Sequence, residues 1–164
     1  MFSAGLDIME LYQAEPERLK SLWAGVQNLW EKLYGSQKIY IAAVSGHSLA
    51  LGCLISMACD YRIMASEANF RTGLTNNLLG IAPSSWIMDT MINTIGHRQA
   101  ELSLQLGRTF TPEEALAVRL VDEIVPQREV LEAAEKQMQI WCQVPSKLRS
   151  FRKNLLEIAL EIQI

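Results

Sequence analysis

An α/β fold is predicted for this chain. Three observations carry it: short apolar runs alternate with amphipathic helical stretches, residues 38–44 show no polar alternation, and a stretch of small apolar residues follows them after a glycine turn. A strand without alternation is one covered on both faces, as parallel strands flanked by helices are.

The chain opens on Met1-Phe2-Ser3-Ala4-Gly5-Leu6-Asp7, an apolar turn with no strand or helix before it, so the fold is expected to begin upstream. Over 16–34, Leu19, Leu22, Trp23, Val26, Trp30 and Leu33 recur at helical spacing, with Glu15 and Pro16 as start signals and Gly35 as the stop. A long amphipathic helix is expected there. Residues 38–44 read as a strand, closed by Ser45-Gly46-His47-Ser48. The stretch 49–59 is too rich in Ala, Leu and Met for a strand and predicts a buried helix. Strands are expected at 60–65 and 68–71, then a loop over 72–79 with Gly73 and two adjacent asparagines, then a helix over 84–94. Another helix, 97–106, stops at Gly107. Thr111-Pro112-Glu113-Glu114 supplies an N-cap, a proline at N1 and a glutamate at N3, so a short helix starts there. It leads into a strand at 120–125 ended by Pro126, and helices near 128–142 and 146–162 complete the chain. No repeat or linker divides it, so a single domain is expected, with its core over 1–126 and a helical C-terminal region over 127–164.

Composition narrows the function. Of 164 residues, 49% are hydrophobic and 20% charged, which is enough apolar material for a core and excludes intrinsic disorder. A net charge of −3 offers no field to hold a phosphate backbone, so no nucleic-acid partner is expected. Cys53, Cys59 and Cys142 are odd in number, lack C-x-x-C spacing and sit in apolar runs, and they read as reduced core thiols of an intracellular protein. The seven methionines read as core filler. Apolar stretches are broken well before the ~20 residues that span a bilayer, and no signal or transit peptide is read. With no His/Cys/Asp cluster at ligand spacing, no metal is expected.

Two turns could carry chemistry. Ser3-Ala4-Gly5-Leu6-Asp7 and Ser45-Gly46-His47-Ser48-Leu49-Ala50-Leu51-Gly52 each leave backbone N–H groups unpaired, the second at the start of a buried helix. Two such donors converging on a thioester or ester oxygen would form an oxyanion hole, although glycine turns between strand and helix are also common as plain structure. A serine hydrolase is disfavoured: Gly46-His47-Ser48-Leu49 is followed by Ala50 where a nucleophile elbow needs glycine, and only His47 and His97 are present. His97 reads as a cap or surface residue. Lys147, Arg149, Arg152 and Lys153 read as a solvated basic helix face.

The order and spacing of several motifs add a resemblance. Phe2 to Asp7, Val44 to Cys53, Cys59-Asp60-Tyr61-Arg62-Ile63, Phe70-x-x-Gly73-Leu74, Leu79-Gly80-Ile81, Ile95-Gly96-His97-Arg98 and Glu114-Ala115-Leu116 through Leu120-Val121-Asp122 are similar to the crotonase (enoyl-CoA hydratase/isomerase) superfamily. Within it, Phe2 to Asp7, Gly52-Cys53-Leu54, Cys59 to Ile63 and Asn93 to Arg98 most resemble the mitochondrial Δ3,Δ2-enoyl-CoA isomerase branch.

The resemblance implies a spiral of ββα turns followed by C-terminal helices. It also implies elements upstream of residue 1 and beyond the last helix, so that this core lacks its first turns. Carried over by position, the oxyanion hole is the N–H of Leu6 and of Leu51, with leucine at 51 where glycine is usual. Ala4, Gly5, Leu6, Asp7 and Ile8 would line the CoA path, with Leu51 and Thr75 also against substrate. The implied activity is the shift of a 3-enoyl-CoA to a 2-enoyl-CoA in fatty-acid β-oxidation, with CoA as part of the substrate and no cofactor. A homo-oligomer, trimeric by resemblance, and a mitochondrial matrix location are implied as well.

The base departs from the family pattern. The isomerase glutamate position holds Asn76, the hydratase position on the buried helix holds Leu54, and the position used by peroxisomal-type isomerases holds Ser84. An asparagine amide neither takes nor gives a proton at useful pH. The alternative is therefore a catalytically silent, truncated relative that binds acyl-CoA or serves as an oligomer subunit. Arg119 stands where the family usually has glycine, a costly exchange if that position needs positive φ.

Overall fold

Pro16 and Gly35 delimit the first long helix as the sequence predicts: α1 spans Pro16–Tyr34 in the computed structural model, which describes residues 1–144. The remaining elements are β1 (Ile41–Val44), β2 (Ser48–Leu49), α2 (Leu51–Ala58), β3 (Tyr61–Ala65) and β4 (Thr72–Gly73). After them come α3 (Ser85–Ile95), α4 (His97–Leu106), α5 (Pro112–Ala117), β5 (Glu123–Val125) and α6 (Val130–Cys142). Short 3-10 helices occupy Ile8–Glu10, Asn76–Leu79 and Gln127–Glu129.

The strands form two parallel sheets. One has the order β1-β3-β5, with Ile41 opposite Tyr61 and Ile63 opposite Glu123. The other pairs β2 with β4 and is extended by Ser3, bridged to Ser48, and by Phe110, bridged to Thr72. The passes β1-β2-α2 and β3-β4-α3 thus each lay one strand in the first sheet and one in the second, then return through helix. The result is a ββα spiral, and it makes the α/β class concrete.

The missing polar alternation at 38–44 now has its reason. Ala42, Val44 and Met64 face a core shared with Leu54, Met57 and Phe110. Ile41, Ala43, Ile63 and Ala65 face the opposite way, against Val130 and Ala134 of α6. Helices cover both faces of the sheet, so every position on β1 is apolar.

Local chemistry fixes several ends. The capping box at α5 is complete: Glu114 N donates to Thr111 Oγ1, and Thr111 N donates to the Glu114 carboxylate. Just past that helix, Arg119 sits at φ +63 while Leu120 N donates to Ala115 O. Asp122 then ties the start of β5 to β3, accepting from Arg62 N, Nε and Nη2 at 2.8–2.9 Å.

Some expectations are corrected. The strand expected at 68–71 lies at Thr72–Gly73, because those residues meet β2 and Phe110 while Phe70 N closes a turn onto Glu67 O. Leu49 belongs to β2 and not to the buried helix. Of 120–125 only Glu123–Val125 is strand, since Leu120 N and Val121 N are both held by Ala115 O. Cys53 and Cys59 are buried free thiols, but Cys142, at the end of α6, is exposed. Met57, Met64 and Met91 fill the core, whereas Met1, Met9 and Met88 are exposed. The helix expected at 146–162 and its basic face lie outside the described residues.

Candidate functional site

The N-terminal turn is bound to the turn after β1 as if it were one more strand. Phe2 N and Ser3 N donate to His47 O at 2.9 and 3.0 Å, and Leu49 N donates to Ser3 O at 2.9 Å. Two glycines permit the approach. A Cβ at Gly52 would lie 2.7 Å from Ser3 Cβ, and one at Gly5, where φ is +109, would lie 2.9 Å from Ala50 Cβ and 3.3 Å from Leu51 N. Ala50 itself has φ +50 and ψ −118, a costly conformation for an L-residue that is held by its N–H bond to Gly73 O. This kink sets Leu51 at the first position of α2, where N–H groups have no intrahelical acceptor.

Behind the two turns lies a cavity of about 90 Å³. Ala4, Leu6 and Ile8 line it from the first turn, Ala50, Leu51 and Leu54 from the second, and Leu74, Thr75 and Asn76 from the loop after β4. Neither the Leu6 nor the Leu51 N–H donates to another group among the described residues. Two free donors therefore border one apolar space, and the α2 dipole adds positive character at Leu51.

Of the residues singled out by sequence, Ala4, Leu6, Ile8, Leu51, Thr75 and Asn76 are brought together here. Gly5 shapes the turn without lining the cavity. Asp7 is turned elsewhere: it is exposed, and its Oδ1 caps the 3-10 helix Ile8–Glu10 by accepting from Met9 N. Leu11, Trp23, Val26, Leu79, Ile81 and Ile87 are not among the site residues expected from the sequence, yet they close the cavity wall. Trp23 was legible only as one position on a helix face.

No ionisable side chain lines the cavity among the described residues. Asn76 Oδ1 is buried with no hydrogen-bond partner, an arrangement that costs about 1–3 kcal/mol. Its neighbour Asn77 is engaged, with Nδ2 donating to Leu104 O. Leu54 is buried, and Ser84 is the exposed N-cap of α3, away from the cavity. The Ser-His pair does not form: His47 Nδ1 accepts from Arg71 N, and the fully buried Ser48 Oγ has no partner. His97 is the exposed first residue of α4. Among the described residues no group of three or more His, Cys, Asp or Glu is placed to hold a metal ion.

A family model described as enoyl-CoA hydratase/isomerase matches residues 1–161. The chain belongs to the enoyl-CoA hydratase/isomerase family. Within the family it resembles isomerases more strongly than hydratases. It is 45% identical over 159 residues to the mitochondrial enoyl-CoA delta isomerase 1 of Mus musculus, which covers 97% of this chain and 55% of that protein. Against the 2,3-dehydroadipyl-CoA hydratase of Escherichia coli the identity is 32% over 133 residues. The crystal structure of human mitochondrial delta3-delta2-enoyl-CoA isomerase superposes with a TM-score of 0.93 at 41% identity, covering 97% of this chain and 62% of that one. The ββα spiral is thus the crotonase fold. This family member spans about half the length of the curated isomerases it matches.

Proposed function

We propose that this chain binds an enoyl-CoA thioester with its carbonyl oxygen accepting from the Leu6 and Leu51 N–H groups, and that it shifts a 3-enoyl to a 2-enoyl double bond in fatty-acid β-oxidation. The observation that carries this is the placement of two unpaired backbone donors on one apolar cavity, in a chain whose relatives include enoyl-CoA isomerases.

The chemistry follows from the charge that develops. Loss of a proton from C2 turns the thioester into a dienolate whose negative oxygen sits between the two donors, where preorganised dipoles stabilise it without reorganisation. A proton delivered to C4 then completes the shift, with no atom gained or lost and no cofactor, since CoA enters with the substrate. A carboxylate would carry that proton from C2 to C4. Asn76 cannot, so the proton must exchange with water and turnover is slow. Positioned acid–base groups contribute about 10²–10⁴-fold, which sets the expected deficit against a glutamate-bearing relative.

Ala4, which is exposed and lines the cavity, would lie against the CoA moiety as it leaves. Thr75 and Ile8 flank the acyl carbons. A homotrimer and a mitochondrial matrix location complete the proposal, in keeping with the mitochondrial relatives. Among the described residues no helix is long and apolar enough to cross a membrane.

The test is to supply a 3-enoyl-CoA and follow formation of the conjugated 2-enoyl product, with binding of a saturated acyl-CoA measured in parallel. Binding with slow turnover supports the proposal. Binding with no turnover identifies a silent acyl-CoA binder, and no binding refutes both.

A further inference from the structure

His47, the residue before β2, is bonded on both sides of that strand. Its backbone oxygen accepts from Phe2 N and Ser3 N at 2.9 and 3.0 Å, on the side of the first turn. On the other side its Nδ1 accepts from Arg71 N at 3.2 Å, and Ser48 N donates to Arg71 O at 2.9 Å. The imidazole is half-buried and edge-on to Phe70, with ring centroids 5.4 Å apart. Residues 47 and 48 thus hold both backbone groups of Arg71, and the next two residues are β4, paired with Ser48 and Leu49. Gly73 O in turn accepts from Ala50 N, the bond that holds the kink before Leu51. A continuous path of backbone bonds therefore runs from the imidazole to the donor at the start of α2.

Only a ring nitrogen without a proton can accept from a backbone N–H, so this ring is neutral and carries its hydrogen on Nε2. Histidine changes charge between about pH 5 and 8. Once protonated, Nδ1 is a donor facing the Arg71 N–H, with no acceptor between them. The charged groups on the neighbouring elements do not replace the lost bond. Arg71 is itself cationic, and its Nη1 donates to Ala68 O and Phe70 O. Glu67, on the same connection, accepts from Gln127 N through Oε1, and its Oε2 is buried without a hydrogen-bond partner. The first turn brings the Met1 amine, 2.9 Å from where a Cβ on Gly46 would lie. From α5, Glu114 attracts Arg71 and is paired with Arg108. Among the described residues none of these groups hydrogen-bonds to the imidazole.

We infer that His47 is a positioning residue for the oxyanion hole: only its neutral form keeps the donors in place, so acyl-CoA binding weakens as pH falls through the histidine range. The inference rests on the thioester-binding function proposed above. The ring acts through the backbone of Arg71 and Gly73 and lines no part of the cavity. Its bond is present at pH values above its titration and lost below them, and the fraction of chains ready to bind falls with it.

Titration of hexanoyl-CoA into wild type, His47→Asn and His47→Phe at pH 7.5 and 5.5 tests this. Asparagine carries its oxygen on the atom that carries Nδ1 in histidine, and it does not titrate, so it keeps an acceptor without the charge. Phenylalanine keeps a ring against Phe70 and has no acceptor. On acidification, wild-type affinity is expected to fall about tenfold more than that of His47→Asn, as loss of one hydrogen bond requires. At pH 7.5, His47→Phe should bind about tenfold more weakly than His47→Asn. The 3′-phosphate of CoA and the Met1 amine titrate in the same range but act on every chain alike, so the comparison isolates the ring. An equal fall for wild type and His47→Asn, or equal binding by His47→Asn and His47→Phe at pH 7.5, overturns the role of His47 while leaving the thioester site standing. Failure of every chain to bind at either pH removes the underlying function as well.

Discussion

Gly5 and Ala50 meet at the cavity with no room for another carbon between them: a Cβ on Gly5 would come within 2.9 Å of Ala50 Cβ. Both residues have positive φ, which glycine adopts freely at position 5 and alanine only at a cost at position 50. The free N–H of Leu6 follows one, and that of Leu51 follows the other. Gly5→Ala is therefore expected to cost about 2–4 kcal/mol, from backbone strain plus overpacking, and to weaken acyl-CoA binding at least tenfold. Denaturant unfolding and acyl-CoA titration of the same variant check both effects.

Gly25 gives the opposite case. It lies inside α1, it is exposed, and a Cβ there would meet nothing within 4 Å. Gly25→Ala should stabilise the chain by about 0.5–1 kcal/mol through helix propensity, with acyl-CoA affinity unchanged. A higher denaturation midpoint at constant m-value is the expected reading.

Arg119→Gly should also stabilise. Arg119 sits at φ +63 just past α5, where glycine avoids a penalty of about 1–2 kcal/mol, part of it returned as extra entropy of the unfolded chain. A net gain of about 0.5–1 kcal/mol in denaturant unfolding is expected. Destabilisation would show that the Arg119 side chain makes a contact worth more than the strain.

The thiols should divide by burial. Desolvation pushes Cys53 and Cys59 up to about 11, so at pH 8 both stay neutral as well as inaccessible, whereas Cys142 is exposed. A thiol reagent is expected to modify Cys142 rapidly in the folded chain and the other two only after denaturant. Raising the pH from 7 to 9 should leave the buried pair unlabelled, because both stay protonated and inaccessible below about 11. Rapid labelling of all three in native buffer would show that the core around α2 opens.

How much of this was legible in the sequence depended on whether the signal was local. α1 was bounded by Pro16 and Gly35, and α5 by the Thr111 capping box, because each boundary is written in adjacent residues. The positive φ at Arg119 was anticipated because the resemblance places glycine there. β4 was misplaced by several residues: its two positions are selected by Ser48, Leu49 and Phe110, which are distant in sequence. The first turn and the loop around Thr75 and Asn76 were named as site residues, and they do share one cavity. The wall from α1 and from Leu79 and Ile81 was not foreseen, since apolar residues on a helix face look the same whether they meet a core or a ligand. Asp7 is placed on the CoA path by the resemblance, and in the structure its carboxylate caps the 3-10 helix Ile8–Glu10.

The cavity places Asn76, with its amide oxygen unpartnered, beside two free backbone donors and no ionisable group. If the oxyanion hole is formed and only the proton carrier is missing, supplying a carboxylate at that position should restore it. The decisive measurement is the rate of 3-enoyl-CoA to 2-enoyl-CoA conversion by Asn76→Glu against wild type, at equal occupancy by substrate. An increase of about 10²–10⁴-fold is expected. Unchanged turnover by a folded Asn76→Glu chain that still binds the thioester would contradict it, because donors that hold the substrate but gain nothing from a base are not arranged for the reaction.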